Sequence, residues 1–180
     1  MQSAVAVAPP TRLSLGRLSS PIGTLLLVSD ERGAIRALDF DDYEARMHRL
    51  LRLHYGSYSL VDVSPATHVV RALTSYFAGD LHALENVQVS TGGTAFQRAV
   101  WSALRLVPAG VTTTYGALAA RLDRPAASRA VGAANGANPI AIVVPCHRVI
   151  GSNGDLTGYG GGIGRKRWLL DHERASACES

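Results

Sequence analysis

An apolar run over residues 140–144 leads directly into Pro145, Cys146, His147 and Arg148, and this segment most constrains the fold. A short continuous apolar run predicts a strand buried in the core. The polar residues that follow must then lie where the core meets a reactive site. Because neighbouring cations can lower the pKa of a cysteine from about 8.5 by one to several units, we expect Cys146 to be a thiolate nucleophile.

The composition is that of a soluble globular protein of one or two domains. The 180 residues are 47% hydrophobic and 18% charged, which excludes a disordered or fibrous chain, and no apolar run approaches the roughly 20 residues of a membrane span. Two cysteines, Cys146 and Cys178, are too few for a disulfide framework or a cysteine-rich zinc site. We therefore expect a cytoplasmic protein with no metal, no cofactor and no membrane partner, in which Cys178 is an exposed bystander.

Charge is distributed unevenly along the chain, whose formal net charge is +4. Acidic residues cluster at 39–42, whereas the charged residues between Arg98 and Arg174 are mostly arginine. A basic half that also carries the reactive thiol favours a nucleic-acid substrate.

The first half reads as a small α/β domain over residues 12–90, preceded by a flexible tail at 1–11. Alternation and turn signals predict strands, and helical spacing predicts helices. The predicted elements are strands at 24–28 and 34–38, helices at 43–54 and 66–78, and a last short strand at 86–89. The histidines of this half lack metal-ligand spacing and are expected at the surface or core edge: His48, His54, His68 and His82.

The second half, residues 91–175, reads as mostly helical. Thr94 is expected to cap a helix that ends at 108–110, and Thr114 to cap a second over 115–122. After a tight turn at 123–125, a third helix spans 126–136. The second and third of these helices match a helix-turn-helix. That third helix consists mostly of alanine and glycine, and Arg129 is its only long side chain. Composition alone leaves open whether it packs closely against a neighbour or enters a groove.

Five motifs then occur in register, and with them the chain resembles the O6-alkylguanine–DNA alkyltransferases. The motifs cover residues 114–116, 128–132, 138–140, 145–150 and 157–162. The resemblance extends over about residues 94–174, and more loosely to the first half through 20–23 and 75–79. It implies an α+β, mostly α fold, with a small RNase H-like N-terminal α/β domain and a helical, winged helix-turn-helix-like C-terminal domain.

The resemblance also implies a function. Members of this family move an alkyl group from guanine O6, and less readily from thymine O4, in duplex DNA irreversibly onto their own cysteine. Cys146 would be the nucleophile and alkyl acceptor. His147 would take its proton through a water, and Glu173 would orient His147. The partner would be alkylated double-stranded DNA, bound by a monomer, with cooperative binding left open.

Further roles follow from the matching positions. Asn138 would brace the turn beside the site, and Tyr115 would help rotate the target nucleotide and could protonate the departing base. Arg129 would fill the gap in the base stack as its helix enters the minor groove. Contacts to DNA would come from Tyr115, Arg129, Gly116, Ala130 and Ser152, and the guanine pocket would be lined by Tyr159, Gly160 and Val149. Gly160 stands where some members have serine, and no Cys/His set matches the N-terminal zinc site of some relatives.

Two other functions compete with this interpretation. A thiol hydrolase would turn over, whereas an alkyl acceptor is spent after one event. A DNA-binding regulator would need no reactive thiol, so Cys146→Ser should leave it fully functional. An inert, buried Cys146 would leave the five motifs without an explanation.

Overall fold

A four-stranded sheet forms the first half of the computed structural model, which describes residues 11–177. Its strands are β1 (Thr11–Ser20), β2 (Gly23–Ser29), β3 (Ile35–Phe40) and β4 (Tyr58–Asp62), in the order β3-β2-β1-β4. The first three pair as an antiparallel meander, and β4 runs parallel to β1. Two helices belong to this half, α1 (Glu44–Tyr55) and α2 (Thr67–Phe77).

Both faces of the sheet are covered, which explains the continuous apolar run in β2. Leu26 and Val28 face a cluster that includes Met47 and Leu51 of α1. Leu25 and Leu27 alternate with them and enter the main core, which continues into the second half of the chain. Successive strand residues point to opposite faces, so a strand buried on both sides needs apolar residues at every position.

The second half contains four helices and a two-stranded ladder. The helices are α3 (Ala95–Arg105), α4 (Tyr115–Arg121), α5 (Ser128–Gly136) and α6 (Ile163–Ala177), and the ladder pairs β5 (Thr113–Thr114) in parallel with β6 (Val149–Ile150). Thr94 and Gln97 form a reciprocal capping box at α3, and the Thr114 hydroxyl accepts from the Ala117 amide at α4. The predicted helix-turn-helix is α4 and α5, joined through a 3₁₀ turn at Pro125–Ala127.

Two expectations for the local structure were wrong. Residues 140–144 form turns rather than a strand, and only Ile140 makes a single bridge, to Leu38. Residues 86–89 likewise contribute one bridge, between Val89 and Ile35. Both bridges lie on the outer side of β3, so they cover an edge strand with single contacts instead of extending the sheet.

Boundaries shift at other places. Strand β4 was not predicted, and α3 ends at Arg105 rather than near 108–110. Thr11, assigned to the tail, opens β1, while the rest of that tail and Cys178 fall outside the described residues. Within residues 11–177 no helix has the length and apolar character required to cross a membrane.

Candidate active site

Cys146 lies in a single turn of 3₁₀ helix, Cys146–Arg148, directly after Pro145. The residue is only 4% exposed. Its amide donates to the Val144 carbonyl at 2.8 Å, and its carbonyl accepts from Asn135 Nδ2 at 3.4 Å. The backbone on both sides of the thiol is therefore tied to the core.

Burial raises the pKa of the Cys146 thiol, so the expectation of a resting thiolate was wrong. A buried thiolate loses its hydration, and this outweighs the opposing effects of a hydrogen bond from Asn138 and of the positive charges on Arg46 and Lys166. The adjacent basic residues, His147 and Arg148, hydrogen-bond to Glu173 instead. The thiol is consequently neutral at rest and requires a base.

Glu173 of α6 is a buried carboxylate with four donors around it. Oε1 accepts from Tyr76 Oη at 2.8 Å, from His147 Nε2 at 2.9 Å and from Arg148 Nη2 at 2.8 Å, while Oε2 accepts from the Gly110 amide at 3.0 Å. Burial alone would raise the pKa of Glu173, but the hydrogen bonds and charges of His147 and Arg148 hold it well below its usual range. The carboxylate is therefore ionised.

The ionised carboxylate fixes the tautomer of His147. Since Glu173 can only accept, Nε2 of His147 carries the proton, and Nδ1 keeps its lone pair. Nδ1 is buried and has no hydrogen-bond partner among residues 11–177. Burial lowers the pKa of His147 against the opposing effect of Glu173, so the neutral ring can accept a proton at Nδ1.

Asn138 braces the turn before the thiol. Its Nδ2 donates to the Val144 carbonyl at 2.8 Å and to the Ile140 carbonyl at 3.2 Å, and its Oδ1 accepts from the Ile140 amide at 3.0 Å. Its own carbonyl accepts from Arg46 Nη2 at 2.9 Å. One fully buried side chain therefore holds the non-strand conformation of residues 140–144 in place.

The predicted pocket residues lie in β6 and in the loop before α6, the two segments that follow the thiol in the chain. The ring of Tyr159 stands edge-on to His147, with centroids 6.4 Å apart, and its hydroxyl is buried without a partner among the described residues. Val149 is fully buried, and its carbonyl accepts from Lys166 Nζ at 2.6 Å. Gly160 follows Tyr159 in the same loop.

The predicted DNA-contacting residues lie on the helix-turn-helix and its neighbouring loop. Arg129 and Ala130 are exposed in the first turn of α5, Gly116 is exposed in α4, and Ser152 is exposed after β6. Because β5 pairs with β6, the start of α4 is held close to the segment that follows Cys146. The surface helices and the buried thiol are thus parts of one unit.

Tyr115 connects these two parts. It opens α4, and its ring lies near Gly132 of α5, where an added Cβ would come within 3.6 Å of it. Its hydroxyl accepts from Thr157 Oγ1 at 3.3 Å, two residues before Tyr159. The half-buried ring therefore spans from α5 to the loop that carries Tyr159.

Sequence reasoning missed four residues of the site. Tyr76 and Arg148 are partners of Glu173, and Lys166 and Arg46 are the cations that act on the thiol. Lys166 is fully buried although lysine rarely is, and burial lowers its pKa to about 8. Because Lys166 stands between Arg165 and Arg167, no local signal marks it as buried.

Other kinds of site are less well supported. No group of three or more metal-binding side chains occurs in the described part of the chain; His48 contacts Tyr58, and His82 pairs with Glu85. A cavity of about 980 Å³ touches Pro145 and Arg148 from the side of residues 79–85 and 102–109. Neither Cys146 nor the 159–160 loop lines that cavity, so it is not the pocket beside the thiol.

Comparison with known proteins places this geometry in a family. The DNA binding domain of 6-O-methylguanine DNA methyltransferase matches residues 95–175, and the ribonuclease-like domain of the same family matches residues 15–91. The chain is 52% identical over 164 residues to a methylated-DNA–protein-cysteine methyltransferase from Salmonella typhimurium, covering 90% of this chain and 96% of that protein. A Methanosarcina acetivorans protein of the same name is 44% identical over 86% of this chain and 94% of its own length.

Solved structures agree with the sequence relatives. The Mycobacterium tuberculosis OGT protein in complex with DNA superposes with a TM-score of 0.78 at 42% identity, covering 91% of this chain and 94% of that one. An O6-methylguanine-DNA methyltransferase from Pyrococcus kodakaraensis gives a TM-score of 0.71 at 28% identity, covering 89% and 98%. The two-domain arrangement, a small α/β half followed by a helical DNA-binding half, is common to them. The chain therefore belongs to the 6-O-methylguanine DNA methyltransferase family.

Proposed function

We propose that this protein repairs DNA by transferring a methyl or larger alkyl group from guanine O6, and less efficiently from thymine O4, irreversibly to Cys146. The observation that carries the proposal is a buried thiol in the same 3₁₀ turn as a neutral histidine, whose Nε2 lies 2.9 Å from an ionised Glu173. The names of the Salmonella and Methanosarcina relatives support the reaction class.

The transfer step follows from this arrangement. His147 Nδ1 takes the thiol proton through a bridging water, and Glu173 stabilises the imidazolium that results. The sulfur attacks the alkyl carbon, forming an S–C bond while the C–O6 bond breaks. The electron pair of that bond passes to the base, which takes up a proton from Tyr115 and leaves as guanine. The thioether has no route back to a thiol, so each protein reacts once.

Access to the lesion requires the base to leave the stack. Extrusion costs a few kcal/mol, and an arginine inserted in the gap offsets part of it. Arg129 is suited to this role because its neighbours on the exposed face of α5 are small, which lets the helix sit deep in the minor groove. Weak base reading in that groove suits repair in any sequence. Gly116, Ala130 and Ser152 are exposed and would contact the sugar-phosphate backbone of the DNA.

The flipped base would enter beside Tyr159, Gly160 and Val149. An aromatic ring supplies a stacking face for the base, and a glycine allows the backbone to approach it closely. The partnerless Tyr159 hydroxyl supports a polar ligand in this place, because buried polar atoms ordinarily have a partner.

The test is intact and peptide mass spectrometry after incubation with excess O6-methylguanine duplex. We expect one methyl group per protein, on the peptide containing Cys146, and then no further reaction. Cys146→Ser is the matched control and should bind the duplex without acquiring the methyl group. Continued product release would indicate a hydrolase, and full biological function of Cys146→Ser would indicate a DNA-binding regulator; either result contradicts the proposal.

A further inference from the structure

A side chain from the first half of the chain reaches the turn that carries Cys146. Arg46 lies on α1, and its Nη1 pairs with Asp39 Oδ2 at 2.5 Å. Its Nη2 donates to the carbonyls of Gly136 at 3.1 Å and Asn138 at 2.9 Å. The Arg46 side chain is 13% exposed and the Asp39 side chain 1%, so the ion pair is largely shielded from solvent.

The carbonyls that Arg46 holds belong to the machinery of the site. Gly136 ends α5, the helix that carries Arg129, and Asn138 braces residues 140–144 ahead of the thiol. Arg46 therefore links the end of α5 and the residue that braces the segment before Cys146 to a carboxylate on β3. Charge-assisted hydrogen bonds of this kind are about twice as strong as neutral ones.

The same guanidinium occupies the space beside Gly160. A Cβ on Gly160 would lie 2.5 Å from both Cζ and Nη2 of Arg46, and 2.7 Å from Nε. Such contacts force a displacement. Although arginine side chains are flexible in general, moving this one breaks its bonds to Asp39, Gly136 and Asn138.

We propose that Arg46 is a positioning residue for alkyl transfer, which braces the Asn138 turn ahead of Cys146 and makes glycine obligatory at position 160. This inference rests on the proposed function and assigns a role in it to the first half of the chain.

The positive charge of Arg46 also bears on the ionisation of Cys146. Burial raises the pKa of Cys146, and Arg46 is one of two cations that oppose the rise. The other, Lys166, donates to the carbonyls of Val149 and Thr157. Arg46 is paired with Asp39, and its Nη2 also donates to the carbonyl of Asn138, whose side chain braces the segment before the thiol.

The first experiment measures the single-turnover rate of methyl transfer from methylated duplex against pH for Arg46→Met. Arg49→Met, an exposed arginine on the same helix, is the matched control. We expect the kinetic pKa of the thiol to rise by roughly one unit in Arg46→Met, with the rate recovering at high pH, and no change in Arg49→Met. An unchanged profile, or an equal loss of rate at every pH, would overturn the electrostatic role.

Arg46→Met leaves Asp39 buried without its partner, so a second variant guards against misfolding. Asp39→Asn combined with Arg46→Met removes both charges and should show the same upward shift with a native circular dichroism spectrum. A folded double variant with the wild-type pH profile contradicts the proposal. If the wild-type protein itself accepts no methyl group, the proposed function fails; if it reacts and the Arg46 variants match it, only this inference fails.

The second experiment tests whether the Arg46 side chain excludes a larger residue at position 160. Gly160→Ser should slow transfer about tenfold or more because the loop is overpacked, and the same substitution should slow transfer less when it is made in Arg46→Ala. A Gly160→Ser protein with the wild-type rate, or equal losses in the two backgrounds, would show that Arg46 does not dictate glycine at this position.

Discussion

Replacing Tyr76 by phenylalanine isolates one hydrogen bond of the Glu173 network. The phenol is fully buried, donates at 2.8 Å to an ionised carboxylate, and comes from α2, 97 residues away in the chain. A hydrogen bond to a charged group contributes about 1.5–3 kcal/mol, and Glu173 retains His147, Arg148 and Gly110 as donors. At about 2–4 °C per kcal/mol for a chain of this size, we expect the melting temperature to fall by roughly 3–12 °C.

The matched control is Tyr55→Phe. Its hydroxyl donates to the neutral carbonyl of Ser90 at 3.3 Å, so its removal should cost less than about 1.5 kcal/mol. The assay is urea unfolding of both variants, together with the single-turnover transfer rate, which should fall in Tyr76→Phe because Glu173 and His147 lose a fixed orientation. Equal stability losses in the two variants, or an unchanged rate in Tyr76→Phe, would refute the reasoning.

The same experiment has a pH signature. The pKa of Glu173 is held below its usual range in the fold, so its contribution to stability is complete above the unfolded value of about 4.3 and is lost as pH falls through the folded value. The difference between wild type and Tyr76→Phe should therefore be constant near neutrality and shrink in acid. A difference that grows in acid would contradict an ionised Glu173.

Two further predictions concern Arg129 and Lys166. Arg129→Ala should impair repair of methylated duplex far more than reaction with free O6-benzylguanine, because its proposed role is to fill the base stack; equal losses on both substrates would refute that role. Burial lowers the pKa of Lys166 to about 8 from 10.5, so between these values the unfolded chain binds more protons than the folded one. Urea unfolding should accordingly show wild type gaining stability relative to Lys166→Met as pH rises through that window. A difference in the free energy of unfolding that does not change with pH would contradict a lowered pKa for Lys166.

The starts of α3 and α4 could be predicted because their signals are local. Thr94 with Gln97 and Thr114 with the Ala117 amide each form a cap within four residues, and the structure has both caps where the sequence places them. The choice between close packing and groove entry for α5 could not be made locally. It depends on which of its small residues face the core, and the structure buries Val131 and Ala134 while exposing Ala130.

The apolar run before Cys146 misled the prediction for a physical reason. Burial demands apolar side chains whatever the backbone does, so residues 140–144 look like a strand although they form turns. Ile142 even adopts a positive φ of 67°, which a β-branched residue rarely does. The Asn138 hydrogen bonds that hold this conformation are a better guide than hydrophobicity, but they depend on a fold that is already formed.

The charges around the thiol show why sequence neighbours are poor guides to reactivity. His147 and Arg148 follow Cys146, yet both hydrogen-bond to Glu173, whereas Arg46 and Lys166 act on the sulfur from distant positions. The balance still favours the neutral thiol, because desolvation dominates in a buried site. For the single-use acceptor that we propose, this is a useful balance: a standing thiolate would be consumed by any small electrophile. A thiol that ionises only through His147 keeps its single reaction for a substrate that reaches the pocket.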